Sequence, residues 1–396
     1  MRMPLVIVLL FFLLGALVDV VICRAVFTRC RRGVTLWRQL ALYSSIFFAV
    51  CLLAMVAWPK KSATDASFAI LMWFLYVYLS VYISKFIFVL LYMIACVPML
   101  WRRKSLSWLT YSGIGMALLT FGLMWWGALI NKYNIEIKDV TYPNESLPPT
   151  FDGFTIVQLS DMHVGTYGTD TTYLHRLVEK VNSLGADAVV FTGDIVNRST
   201  TELLPFVNTL SELKATFGVF SILGNHDYGD YHSWSSPEAK QQNMVLMRRL
   251  QSRMGWKMLN NESATIYAGN DSIVIIGVEN IGDPPFPIYG NLDSAYPGDL
   301  ADDAFKILLS HNPAHWTEDI ADSPDKNIAL TLSGHTHAMQ IELFGLSPAV
   351  FRYKTWGGMY GDNDGHSLYV NIGIGEVGMP ARIGATPEIT LITLKR

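Results

Sequence analysis

Residues 154–163 read FTIVQLSDMH, an apolar, β-rich run that ends on Asp161-Met162-His163. Such runs, bounded by Gly and Asp, predict buried strands of an α/β sheet. The same arrangement recurs four times further along. Residues 188–192 (AVVFT) lead into Gly193-Asp194, and residues 217–223 (FGVFSIL) into Gly224-Asn225-His226-Asp227. Residues 305–309 lead into Ser310-His311-Asn312, and residues 328–332 into Gly334-His335-Thr336-His337. Ligands of open α/β sheets bind beyond the carboxyl ends of the strands. Five strand ends therefore deliver Asp, His and Asn side chains to one rim.

The residue types say what the rim is for. Imidazole and carboxylate together suit Zn, Mn or Fe without singling one out. The donors are too many for one ion. Two ions a few ångströms apart need a carboxylate between them, and Asp194 after Gly193 fits that position. Two-metal sites suit phosphoester hydrolysis because they stabilise the attacking and leaving oxygens of an in-line displacement.

The ordered set D-x-H, G-D, G-N-H-D, H and G-H-x-H resembles the calcineurin-like metallophosphoesterase superfamily, with all five blocks intact. The resemblance covers residues 134–396. The tail, Asn371–Glu376 (NIGIGE), Pro380-Ala381-Arg382 and Pro387-Glu388-Ile389, is similar to a bacterial, membrane-attached branch related to lipid-precursor phosphoesterases. The resemblance implies two packed β-sheets flanked by helices. It implies two divalent ions, with Mn, Zn, Fe and Mg as candidates. One would be held by Asp161, His163, Asp194 and His337, the other by Asp194, Asn225, His311 and His335. It implies attack on phosphorus by a metal-bridging hydroxide. His226 would serve the leaving oxygen, with Asp227 orienting it. Arg382 is a candidate for a phosphate oxygen through its fork, or a partner of Glu388. His232 is a candidate substrate contact. His175, His315 and His366 read as ordinary surface or core histidines.

Composition splits the chain. Hydrophobic residues make up 51%, which calls for a membrane part. Residues 1–133 carry 13 Lys+Arg against 2 Asp+Glu, and residues 134–396 the remaining 17 against 31, a net charge of −14. That acidity argues against nucleic acid as a partner, which needs a basic footprint. All four cysteines lie in the first part and imply no disulfide framework.

Four apolar runs predict four transmembrane helices: residues 4–23, 39–58, 67–101 and 108–130. A cleaved signal peptide competes for the first, but it has no small-x-small cleavage site and more spans follow. The third run is about 50 Å of helix against a ~30 Å core, so one long helix fits better than two crossings. Lys85 within it reads as a snorkelling side chain, with a lipid phosphate as the other reading. Met124-Trp125-Trp126 suits an interfacial aromatic belt. The first and third loops carry eight basic residues (Arg24, Arg29, Arg31, Arg32, Arg38, Arg102, Arg103, Lys104), the second only Lys60 and Lys61. Positive loops stay cytoplasmic, which places the catalytic domain outside the cytoplasm.

After the spans, residues 135–140 predict an edge strand, and helices are expected over 169–184, about 200–214 and about 237–254. The stretch 282–300 reads as an irregular loop. Residues 351–360 (FRYKTWGGMY) are either a lip that meets acyl chains or the bilayer, or a packed aromatic loop. The expected function is a membrane-anchored phosphoesterase for a monoester, diester or diphosphate, with a lipid or lipid-linked substrate favoured by the tether. The alternative is a non-catalytic, metal-dependent scaffold on the same fold.

Overall fold

The computed structural model describes residues 5–27, 34–57, 65–283, 286–298, 304–321, 327–361 and 365–396. Its chain divides into two compact units, Met1–Leu129 with Gly378–Ala381, and Ile130–Val377 with Arg382–Arg396.

The larger unit is built on two six-stranded sheets. The first holds β1 (Glu136–Pro143), β2 (Thr155–Leu159), β3 (Ala188–Phe191), β4 (Val219–Ser221), β5 (Trp256–Met258) and β12 (Glu388–Lys395), in the order β1-β12-β2-β3-β4-β5. The second holds β6 (Glu262–Ala268), β7 (Asp271–Gly277), β8 (Phe305–Leu309), β9 (Leu330–Ser333), β10 (Gly358–Gly361) and β11 (Ser367–Val370), in the order β10-β11-β9-β8-β7-β6. Strands β2 to β5 run parallel, whereas β12 is antiparallel to β2, so the sheet is mixed. β1 forms the expected edge, paired in parallel with β12.

Strand period explains the packing. In β2 and β3 the side chains of Ile156, Ala188 and Val190 point into one core, together with Ile273, Ile275, Ile307, Leu309, Leu330 and Leu332 of the second sheet. Their neighbours Val157, Leu159, Val189 and Phe191 face the opposite way, onto helices α5 (Thr172–Ser183) and α7 (Pro237–Arg253). Alternate residues of a strand line opposite faces, and here both faces are covered. That is why these strands read as continuous apolar runs.

The two sheets implied by the resemblance are present, and the five strands that end at the Asp, His and Asn blocks divide between them: β2, β3 and β4 lie in the first, β8 and β9 in the second. Gln158, fully buried, ties the two carboxyl ends together, donating from Nε2 to Ser333 O (2.8 Å) and Thr192 Oγ1 (3.2 Å). The helix expected at 200–214 is a 3-10 segment, Thr200–Phe206, followed by one α-turn, α6 (Val207–Leu210). Pro205 inside it cannot donate an N–H, which disfavours a regular α-helix there.

The smaller unit holds four apolar helices, α1 (Leu5–Phe27), α2 (Val34–Ala57), α3 (Asp65–Cys96) and α4 (Ser107–Leu129). Among the described residues, two segments are long and apolar enough to cross a membrane, Ser67–Trp101 and Ser107–Tyr133. The third apolar run is one unbroken helix through Lys85. Lys85 does not snorkel. Its Nζ pairs with Asp19 Oδ1 at 2.8 Å, while Tyr82 and Ser45 donate to Oδ2 at 2.8 and 2.5 Å. A charge among apolar helices is costly alone, and Asp19 on α1 supplies its partner. Trp125 likewise packs on Trp73 of α3, ring centroids 6.4 Å apart. The loop charges Arg29, Arg31, Arg32, Lys60 and Lys61 lie outside the described residues.

Candidate metal centre

The carboxyl ends of the strands turn sharply to form the site. Asp161, His163, Asp194, His335 and His337 all have positive φ, between 44° and 74°. A non-glycine residue in this left-handed region costs about 1 kcal/mol or more, and such strain gathers at functional sites. Backbone bonds between the turns hold it in place: Asp161 N donates to Gly193 O (2.9 Å), His163 N to Asp194 O (3.1 Å), and Gly334 N to His311 O (3.0 Å). Two glycines of the motifs are there for space. A Cβ on Gly224 would lie 2.2 Å from Asp194 Oδ1, and one on Gly334 would lie 1.9 Å from Ser160 Oγ.

The side chains meet in two groups, each able to hold a metal ion: Asp161, His163 and His337, and Asp194, His311 and His335. In the first, His337 Nε2 lies 3.1 Å from His163 Nε2 and 3.2 Å from Asp161 Oδ1. In the second, His311 Nε2 lies 3.2 Å from each of Asp194 Oδ2, Asn225 Oδ1 and His335 Nδ1. Asp194 Oδ2 also lies 3.6 Å from His163 Nε2, so one oxygen sits between the groups. Asn225 Nδ2 donates to Tyr231 Oη at 2.9 Å, which turns its oxygen inward.

This donor set suits dications. His311 Nδ1 lies 2.8 Å from the Thr192 carbonyl, which can only accept, so Nδ1 carries a proton and Nε2 is the nitrogen aimed at the centre. Burial works against charge on Asp161 and Asp194, but His337 and His311 respectively outweigh it and hold both carboxyls below the usual range. Burial, then His226, holds His163 well down. Burial and neighbouring His311 push His335 to about 4. His311 differs: burial lowers it, yet Asp194 wins and lifts it to about 9. Ionised carboxylates beside the neutral imidazoles of His163 and His335 are what a dication takes up, and its binding would displace the proton on His311.

The remaining candidates fall differently. His226 Nδ1 lies 2.7 Å from Asn197 O, and its ring stacks on Tyr231 at 4.3 Å between centroids. Asp227 does not orient His226. Its buried carboxylate accepts four backbone N–H groups, from Asp194, Ile195, Val196 and Gly224, at 2.9–3.2 Å. It therefore shapes the loop that carries Asp194. Arg382 is fully buried, and its hydrogen-bond partners do not include Glu388. Its guanidinium donates to the carbonyls of Gly375, Ala385 and Ile372, and Nη2 lies 3.2 Å from His337 Nδ1. Glu388 instead accepts from Tyr369 and Thr390. His232 packs on Trp234, centroids 4.5 Å apart. Two tyrosines carry no motif and were not legible beforehand: Tyr231, and Tyr353, whose Oη lies 3.0 Å from His335 Nε2. Tyr353 does fall in the aromatic 351–360 segment.

His315 gives a pH prediction. Burial pushes it down to about 4, and Ser310 Oγ lies 2.8 Å from Nδ1. The unfolded chain takes up this proton near pH 6.5 and the native state only near 4. Stability is then lost as pH falls through that window, by about 2 kcal/mol at pH 5. The unfolding midpoint of detergent-solubilised protein, followed from pH 7 to 5, should fall less steeply in His315→Gln than in the parent. Equal slopes would refute it.

The family model for calcineurin-like phosphoesterases matches residues 154–339. Over 304 residues the chain is 32% identical to an uncharacterized metallophosphoesterase, YkuE, of Bacillus subtilis, covering 74% of this chain and 97% of that one. The chain belongs to the calcineurin-like metallophosphoesterase family. It is a metal-dependent phosphoesterase. A Danio rerio relative named "Transmembrane protein with metallophosphoesterase domain" is 32% identical over 271 residues, 66% of this chain, which spans 57% of that protein's length. An uncharacterized metallophosphoesterase of Helicobacter pylori strain J99 is 30% identical over 302 residues, covering 74% of this chain and 72% of its own length. The metallophosphoesterase match begins one residue before β2 and ends just past His337, so it takes in all five blocks.

Proposed function

We propose that this chain is a membrane-anchored, two-metal phosphoesterase whose catalytic domain spans residues 134–396 and whose substrate is a lipid or lipid-linked phosphoester or diphosphate. The observation that carries the two-metal reading is the position of Asp194 Oδ2 between two histidine groups, 3.6 Å from His163 and 3.2 Å from His311. Asp161, His163, His337 and Asp194 hold one ion. Asp194, Asn225, His311 and His335 hold the other, with Asp194 shared. The ions, when bound, supply Lewis acidity that polarises phosphoryl oxygens and makes a water acidic enough to act at neutral pH. The chain supplies the rest. An anionic Asp194 offsets repulsion between the dications, and Tyr231 keeps the Asn225 oxygen turned inward. With Nδ1 given to Asn197 O, His226 has Nε2 left to carry a proton to the leaving oxygen. An intact donor set together with His226 weighs against the scaffold alternative.

The anchor is a four-helix transmembrane region, α1 to α4, within residues 1–133. The name of the Danio rerio relative supports an anchor, as does the apolar character of the four helices. Four crossings and the basic first and third loops put the catalytic domain outside the cytoplasm. Fusions after Lys132 test this: alkaline phosphatase should be active and a fluorescent protein that folds only in the cytoplasm dark. The opposite pattern would move the site to the cytoplasmic side.

The test of function is hydrolysis by purified full-length protein of an aryl phosphomonoester and an aryl phosphodiester, each with Mn, Zn, Fe, Mg or no metal. Metal-dependent turnover of either supports the reading. No turnover under any condition, with two ions bound, would favour the scaffold.

A further inference from the structure

The loop that follows His337 is built to present apolar side chains to something outside the domain. Residues 343 to 346 form a tight two-residue hairpin, with Leu343 N bonded to Leu346 O at 2.9 Å and Leu346 N to Leu343 O at 3.1 Å. Its two turn residues, Phe344 (φ 56°) and Gly345 (φ 75°), both lie in the left-handed region. Turns of this type favour Asn or Asp followed by Gly. A bulky aromatic residue at the first position is sterically costly and gains nothing from the fold, because Phe344 is 102% exposed. Seven residues on, Phe351 ends a 3-10 turn (Pro348–Phe351) at 93% exposure, and Leu346 is 75% exposed. The following half of the aromatic segment behaves differently: Thr355 is buried, and Trp356 packs against Ala338, Ile372 and Ala385. Protruding tips, not a flat apolar face, are what this loop offers.

The flank adds a charge. Lys354, three residues after Phe351, is exposed, although residues 134–396 carry a net charge of −14, while Arg352 between them pairs with Asp283. Protruding apolar tips beside a lysine suit a segment that lies in the headgroup and acyl boundary of a bilayer with anionic lipid. Both ends of the loop are also bonded to the candidate metal ligands' own turn. Ser347 Oγ donates to Ala338 O (2.6 Å), Thr336 Oγ1 to Trp356 O (2.5 Å), and Tyr353 Oη lies 3.0 Å from His335 Nε2.

We propose that residues 343–351 form a bilayer-docking lip: Phe344, Leu346 and Phe351 enter the lipid, Lys354 meets anionic headgroups, and the lip presents phosphate esters held in the membrane to the site. The inference rests on the membrane-anchored reading above and adds the surface through which the catalytic domain meets lipid.

The test uses the full chain with Cys23, Cys30, Cys51 and Cys96 replaced by Ser, carrying one bimane label at a time. Labels at Phe344→Cys and Leu346→Cys report the lip, one at Leu90→Cys reports α3, and one at Tyr267→Cys on strand β6 is the aqueous control. The protein is placed in nanodiscs of phosphatidylcholine and phosphatidylglycerol, with or without doxyl-bearing lipid, and titrated with iodide. Both lip labels should lose emission to doxyl lipid and resist iodide, and the Tyr267 label should do the reverse. Lip labels quenched by iodide like the control would overturn the lip. So would shielding from both quenchers, which means that protein, a second copy included, covers the loop. Doxyl quenching at Leu90 without quenching at the lip removes the lip and keeps the anchor. Absence of quenching at both removes both. Aryl phosphate hydrolysis by the same samples reports separately on the phosphoesterase activity.

Discussion

Asp194→Ala should release both metal ions and lower kcat/KM by ~10³-fold or more, since losing two Lewis acids removes several kcal/mol of transition-state stabilisation. The expectation follows from one atom. Asp194 Oδ2 lies within 3.6 Å of a histidine nitrogen from each group, and no other carboxylate is so placed among the described ligand candidates. Truncating a residue that serves one group alone, such as His163 or Asn225, should cost chiefly one ion. Asp194 Oδ1 also accepts the backbone N–H of His226 at 2.8 Å, so the alanine variant loosens that loop as well. Asp194→Asn separates the effects, because it keeps the shape and an acceptor but removes the charge. Elemental analysis of purified protein is the measurement. Retention of both ions by Asp194→Ala would refute the shared-ligand assignment.

The second large effect is expected at His226. Its Nδ1 is held by Asn197 O and its ring stacks on Tyr231, and it belongs to neither metal-holding group. His226→Ala should therefore keep both ions and lose ~10²-fold or more in turnover, the usual share of a positioned general acid. The loss should shrink for a nitrophenyl ester, whose leaving group departs without a proton, and grow for an alkyl ester. Equal losses for the two esters would remove the acid role. Tyr231→Phe offers a milder check. It keeps the stack but removes the hydroxyl that turns Asn225, so it should weaken one metal and leave the ester preference as it was.

How legible the centre was depends on where each residue's surroundings come from. Asp161, His163, Asp194, Asn225, His311, His335 and His337 stand in short motifs at strand ends. Local sequence is enough to place them, because an apolar run followed by Gly or Asp both ends a strand and exposes what comes next. Asp227 stands in the same motif, yet its carboxylate is bonded to backbone amides and not to His226. Its proximity in sequence to His226 suggested a pair, whereas the fold gives its carboxylate to four amides, three of them in a loop more than thirty residues away. Arg382 shows the same limit. An arginine in an acidic, phosphate-binding domain looks like a ligand for the anion. Here it is fully buried, with three backbone carbonyls and the far side of His337 around it.

By itself, then, the sequence determined the strand ends, the order and chemistry of the candidate metal ligands, the split between an apolar basic part and an acidic one, and the run of apolar helices. These follow from period, hydropathy and short-range spacing, all of which are local. Only the tertiary structure decided that the donor strands divide between two sheets, that Lys85 meets Asp19, that Tyr231 and Tyr353 support Asn225 and His335, and that Phe344 and Phe351 stand clear of the fold. Those outcomes depend on which distant segments pack together. A side chain's partner and exposure are set by residues far away in the chain, and no local pattern encodes them.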